Sequence, residues 1–145
     1  MTDTTITISR SVPASPERVF DAWVDVEQLA AWWWPQLAGT TYAVDAREGG
    51  AYRISSPAIG ATVTGVYTEV DRPRRLVFTW VWQDDDAPEQ AVEDTVVVTF
   101  EPAGSATVVR VDHTSAAHEP DGGAVLGWND VMDRLVRVYE TSSRS

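Results

Sequence analysis

Val125-Leu126-Gly127-Trp128-Asn129-Asp130-Val131-Met132-Asp133-Arg134-Leu135-Val136-Arg137-Val138-Tyr139 reads as one amphipathic helix near the end of the chain. At about 100° per residue, its apolar side chains other than Leu126 fall within an arc of about 160°. Asp130, Asp133, Arg134, Arg137 and Glu140 take the other side. The pairs Asp130/Arg134 and Asp133/Arg137 are spaced i,i+4 with the acid first, the favourable order. Pro120, Asp121, Gly122 and Gly123 come just before, so Asp121 is the expected N-cap, its carboxylate accepting from unbonded N–H groups at the positive end of the helix dipole. An apolar arc this broad requires a curved partner that grips the helix.

The preceding residues supply strands for that partner. Ile6, Ile8 and Val12 alternate with Thr7, Ser9 and Ser11, which leaves Arg10 on the apolar side of a first strand. Ser15 followed by Pro16 is an N-cap and first helical position, and Val19, Phe20, Trp23 and Val24 continue at helical spacing. Asp25 with Gln28 resembles a capping box for a second short helix that ends near Trp34, because Pro35 excludes its predecessor from the α region. Two short helices between strands suit a lid or wedge. Tyr42, Val44 and Ala46, then Gly49-Gly50, then Tyr52 and Ile54 form a hairpin, with no phosphate-loop fingerprint around the glycines. Ala61–Val70 is a further strand. In Leu76–Trp82 the side chains of Leu76, Phe78, Trp80 and Trp82 share one face. Thr95–Phe100 and Thr107–His113 make a last hairpin across Pro102, Ala103 and Gly104, with His113 in phase with Val109 and Val111. About six strands in meander spacing, two short helices and one long helix define an α+β chain with an antiparallel sheet, expected as a single domain over residues 1–145.

Composition narrows the function classes. The net charge is −11, from 22 acidic residues against 11 arginines and no lysine. Phosphate backbones and anionic membranes are therefore poor partners. The absence of cysteine removes disulfides, thiolate nucleophiles and cysteine-based zinc sites. No basic stretch leads into an apolar run, and no window approaches the roughly 18 apolar residues of a membrane span, so a cytoplasmic location is expected. The acidic stretch Asp84, Asp85, Asp86, Pro88 and Glu89 lacks the alternating ligands of a calcium loop and reads as a solvated turn. His118 and Glu119 lie beyond His113 without the convergent set that a metal needs, and no cofactor is expected. Seven tryptophans are the unusual feature, since rigid rings at this density either fill a core or line a ligand cavity.

The order of several short patterns resembles a known family. Pro16-Glu17-Arg18-Val19-Phe20, Leu29 with Trp32-Trp33 and Pro35, Gly49-Gly50 with Tyr52, and Gly65 with Glu69-Val70 are four of them. Pro73 with Arg75 to Trp80, Val96 to Pro102, Thr114 after His113, and Gly127-Trp128 with Leu135 and Tyr139 are the others. Together they resemble the SRPBCC (START and Bet v 1-like) superfamily, in the branch related to the C-terminal domain of the activator of the Hsp90 ATPase. The resemblance implies a helix-grip fold: a curved antiparallel sheet of six or seven strands around the long C-terminal helix, two small helices closing one end, and a cavity between sheet and helix. The superfamily hosts carriers, receptors, cyclases and co-chaperone domains, so the fold alone does not select a function.

The candidate ligand-binding residues are Trp33, Tyr52, Phe78, Trp80, Trp82, His113, Trp128 and Met132. Phe78, Trp80, Trp82, Trp128 and Met132 would be walls, Trp33 with Trp32 and Trp34 a lid, and His113 the polar anchor, with Tyr52 and Glu69 as companions if their faces point inward. A bulge in either strand would reverse those two. The competing reading is a filled core with a satisfied histidine. The first functional expectation is a small intracellular protein that encloses an apolar or aromatic small molecule, with homodimerisation left open. A cyclase-like or aromatase-like enzyme using His113 as acid/base is the alternative. A co-chaperone acting on Hsp90 is a third reading, weakened because no separate N-terminal domain precedes these patterns. Nucleophilic hydrolysis is disfavoured, because neither a Gly-x-Ser-x-Gly elbow nor an evident Ser/His/Asp order is present.

Overall fold

A computed structural model describes residues 4–84, 92–115 and 122–143 of the chain. Strand β1 (Thr4–Val12) leads into helices α1 (Pro16–Val24) and α2 (Val26–Trp32). Strands β2 (Thr41–Val44), β3 (Ala51–Ser56), β4 (Ala61–Asp71), β5 (Arg75–Asp84), β6 (Val92–Ala103) and β7 (Ala106–Ser115) follow, and helix α3 (Gly122–Ser143) comes last. The seven strands make one curved antiparallel sheet in the order β1-β7-β6-β5-β4-β3-β2. Six strands meander, and β1 closes the set by pairing with β7 from Thr4↔Ser115 to Val12↔Thr107.

The two short helices start where local chemistry supplies acceptors. Ser15 Oγ accepts from the Arg18 N–H, and Pro16 occupies the first turn, where a missing N–H costs no helical bond. Asp25 ends α1 through its own N–H and caps α2 with its carboxylate, which accepts from the Glu27 N–H at 3.0 Å. Gln28 donates to that carboxylate instead of reaching back to the cap's N–H, so the expected capping box is only half formed. Helix α2 ends at Trp32, two residues before the expected limit, and Trp34 stands at φ 55 ahead of Pro35. The buried faces of α1 and α2, Val19, Phe20, Ala22, Trp23, Leu29 and Trp32, belong to the main core.

Helix α3 begins three residues before the expected start, with Gly122 and Gly123 inside it. First-turn N–H groups make no helical bond in any case, which lessens the cost of glycine there. Asp121, Pro120, the side chains of Val125 and Leu126, residues 85–89 of the acidic stretch, His118 and Glu119 lie outside the described residues. Asp130 holds Arg134 at 2.7 Å as expected. Asp133 does not serve Arg137 in the expected way: the Arg10 guanidinium reaches it at 2.8 Å and also donates to Asn129 Oδ1 at 2.6 Å. A cation on the apolar side of β1 is thereby explained, because it fastens the first strand to the solvent edge of α3.

One glycine fixes the shape of the sheet centre. A Cβ on Gly65 would lie 1.9 Å from the Thr79 carbonyl oxygen and 2.5 Å from the Tyr52 ring. Tyr52 crosses the bare backbone there and donates its hydroxyl to Thr79 O at 2.7 Å. Further along β4, the register shifts between Tyr67 and Glu69. Tyr67 is buried, whereas Glu69 faces Arg75 at 3.3 Å on the outside. This bulge removes Glu69 from the interior.

Candidate functional site

The inner face is built by strand phase. Trp80 pairs with Asp94, Phe78 with Val96, and Val96 in turn with His113. Side chains two residues apart share a face, so Asp94 and Ser115 lie on the same side as Val96 and His113, one step beyond the pair Thr95↔Thr114. Trp128 and Met132, one turn apart on α3, are both buried.

Three side chains link the two layers. Indole N–H groups only donate, so Trp128 Nε1 donates to His113 Nδ1 at 3.0 Å, and Nδ1 must present its lone pair. The ring proton then sits on Nε2, 2.8 Å from Asp94 Oδ2. Both imidazole nitrogens are occupied, and acid–base work by His113 would first require release from Trp128 or Asp94. His113 is 4% exposed, and its ring meets Trp80 and Trp128 edge-on.

The structure brings four of the expected residues, Trp33, Trp80, His113 and Trp128, into one cluster. Trp33 packs against both β5 and α3, its ring centroid 5.8 Å from Trp80 and 5.4 Å from Trp128, which themselves meet at 5.2 Å. It is buried within the packing. Tyr52 and Phe78 belong to a second aromatic group with Tyr67, and the Tyr52 hydroxyl is spent on Thr79. Trp82 is 40% exposed, its indole N–H donating to Asp84 and its ring against Trp34, so it stands at the rim. Trp23, which was not among the expected site residues, and Trp32, expected in the lid beside Trp33, pack behind this group. Trp23 stacks toward Trp128 at 6.2 Å, and Trp32 donates to Ala22 O. Here the indoles lean on one another.

Four buried polar atoms have no hydrogen-bond partner among the described residues: Trp23 Nε1, Trp33 Nε1, Asp94 Oδ1 and Ser115 Oγ. Leaving such a group unpaired costs about 1–3 kcal/mol. Asp94 and Ser115 were missed because the sixth strand was expected to begin at Thr95 and the seventh to end at His113, whereas they run Val92–Ala103 and Ala106–Ser115. Counting back two from Val96 and on two from His113 would have found them.

Burial also acts on the phenols. It raises the pKa of Tyr52, and the Tyr67 phenol beside it adds to the shift; Tyr67 itself is raised by burial and then by Asp45. No group of three or more histidine and acidic side chains is gathered among the described residues, and no helix among them is long and apolar enough to cross a membrane. Outside the interior, an open cleft of about 300 Å³ lies between α1, α2 and α3, with Arg18, Gln28 and Tyr139 on its walls.

A bent antiparallel sheet closed on a long final helix, with two short helices at one end, is the helix-grip architecture of SRPBCC proteins. The chain belongs to the activator of Hsp90 ATPase homolog 1-like protein family, whose model it matches over residues 13–140. Among solved structures it is similar to protein CV1439 from Chromobacterium violaceum, with 26% identity and a TM-score of 0.80 over 94% of this chain and 98% of that one. Mll3558 from Rhizobium loti shares 22% identity and a TM-score of 0.77, covering 94% and 96%. CalU16 from Micromonospora echinospora shares 21% identity and a TM-score of 0.66, covering 90% and 73%. None of the curated proteins compared with the chain matches it.

Proposed function

We propose that this is a small intracellular binding protein, a single domain that encloses an apolar or aromatic molecule between β5–β7 and α3. The observation that carries the reading is the set of orphaned buried polar atoms beside an indole cluster, since native interiors rarely leave such groups without a partner. Trp80 and Trp128 are the walls, with Phe78 and Met132 behind them, and the Trp128–His113–Asp94 chain fixes the orientation of the polar end. Trp33 is the residue that yields.

Two costs favour its departure when a ligand arrives. Its indole N–H is buried without an acceptor, at about 1–3 kcal/mol. The adjoining Trp34 holds φ 55, a left-handed conformation that costs a side-chain-bearing residue about 1–2 kcal/mol. A bicyclic aromatic has roughly the volume of the indole it displaces. The reading gives Trp33 the lid role by substitution: ring out, ligand in.

Native mass spectrometry of protein purified without additives, with a thermal-shift screen of bicyclic aromatics, tests this. The expected result is a retained small molecule or a rise in melting temperature that Trp80→Ala abolishes. The opposite result is an empty protein that no member of the screen stabilises.

A further inference from the structure

The orphaned atoms also specify the polar end of the ligand, an inference that rests on the binding function proposed above. Asp94 presents a carboxylate with one oxygen engaged by His113 Nε2 and the other, Oδ1, without a partner; the residue is 8% exposed. An ionised carboxylate only accepts. Ser115, 2% exposed, presents a hydroxyl with no partner that can donate or accept. The two residues lie on neighbouring strands and on the same inner face, one step beyond Thr95↔Thr114. Trp80 pairs with Asp94 across the next strand boundary, and its ring borders the position that Trp33 fills.

We infer that the ligand is a neutral aromatic hydroxyl compound, a phenol or naphthol, whose O–H donates to Asp94 Oδ1 and whose oxygen accepts from Ser115 Oγ. Each element of that class answers a feature of the site. The ring replaces the Trp33 indole against Trp80 and Trp128, and the hydroxyl satisfies one obligate acceptor and one adaptable donor. A ligand carboxylate is excluded because it would set a second negative charge against Asp94 in a poorly solvated interior. An ether or a bare hydrocarbon fills the space but leaves Oδ1 unpaired, and a site built around a hydroxyl discriminates strongly against the analogue lacking it. His113 acts here as a positioning residue. Its Nε2–H holds one carboxylate oxygen so that the other is presented to the ligand.

The test is equilibrium dialysis of the full chain against 2-naphthol, 2-methoxynaphthalene and 2-naphthoate, followed by absorbance. The expected result is 2-naphthol bound at least about tenfold more tightly than its methyl ether, the worth of one hydrogen bond to a charged group, with 2-naphthoate not retained. In Ser115→Ala and Asp94→Asn the preference for naphthol over the ether should shrink while the ether's own affinity stays. Should Asp94→Asn not fold, Ser115→Ala alone carries the comparison. Equal binding of naphthol and ether by the unaltered protein overturns the hydroxyl assignment and leaves the binding function standing. Retention of none of the three compounds overturns both.

Discussion

Trp128 Nε1 donates to His113 Nδ1 at 3.0 Å, a bond that joins the helix to the sheet within the core and fixes which nitrogen of the imidazole carries the proton. Without it, Nδ1 would be a buried acceptor facing apolar rings, and the contact from Nε2 to Asp94 would lose its defined donor. The indole therefore has two duties: its rings pack against Trp23, Trp33 and Trp80, and its N–H orders a polar chain inside the core.

Those duties separate in a double-mutant cycle. Trp128→Phe keeps an aromatic ring but strands Nδ1, and should cost about 1–3 kcal/mol beyond the lost packing. Combined with His113→Leu, the two changes should cost less than their sum by at least about 1 kcal/mol in urea unfolding. Additive effects would mean that the bond contributes nothing.

Gly65→Ala should destabilise strongly, because the added carbon meets the Thr79 carbonyl oxygen and the Tyr52 ring at once. Overpacking of this kind costs about 1–3 kcal/mol, and the carbonyl belongs to the backbone and cannot turn aside. Tyr52→Leu should restore little of the loss. A full rescue would locate the conflict in the ring alone.

Alkaline stability follows from the phenols. Tyr52 and Tyr67 are held protonated in the folded state above the ordinary tyrosine value of 10.0, through burial first. The folded state binds protons that the unfolded chain releases, so stability is full below that value and declines as the pH rises past it. In a spectrophotometric titration these two phenols should ionise only together with unfolding. Their ionisation in still-folded protein would contradict the burial described.

At the acid end the sign reverses. The Arg72 guanidinium, which donates to both Asp21 oxygens at 2.8 and 3.0 Å, lowers the Asp21 pKa. Its contribution is present above the ordinary aspartate range and disappears as the pH falls through the depressed folded-state value. The pair is largely exposed, so the effect is small and screened by salt. An NMR titration should show the Asp21 midpoint rising in Arg72→Ala; an unchanged midpoint would discount the pair.

Periodicity carried the elements because burial forces it. The phase of Val131, Met132 and Leu135 on α3, and of Leu76, Phe78 and Trp80 on β5, is the phase of the core. Arg10 showed its inward register in the sequence, but its partners Asn129 and Asp133 did not, since a long side chain selects among acceptors only once two elements meet. The site was legible in its rings and not in its polar atoms. His113 stood out by residue type, whereas Asp94 and Ser115 lay beyond the apolar runs and looked like strand ends. Trp82 was assigned to the wall by alternation alone, yet β5 extends to the rim, where the same face is 40% exposed. Glu69 was lost to a bulge, a one-residue slip that changes the face presented.

The most direct test is a crystal structure of the protein soaked with 2-naphthol. The expected result is the naphthalene ring packed against Trp80 and Trp128 where Trp33 now sits, its oxygen within hydrogen-bond distance of Asp94 Oδ1 and Ser115 Oγ, and the Trp33 indole turned out of that position. Trp33 still seated against both rings in crystals saturated with the compound, with naphthol absent from the interior, would contradict it.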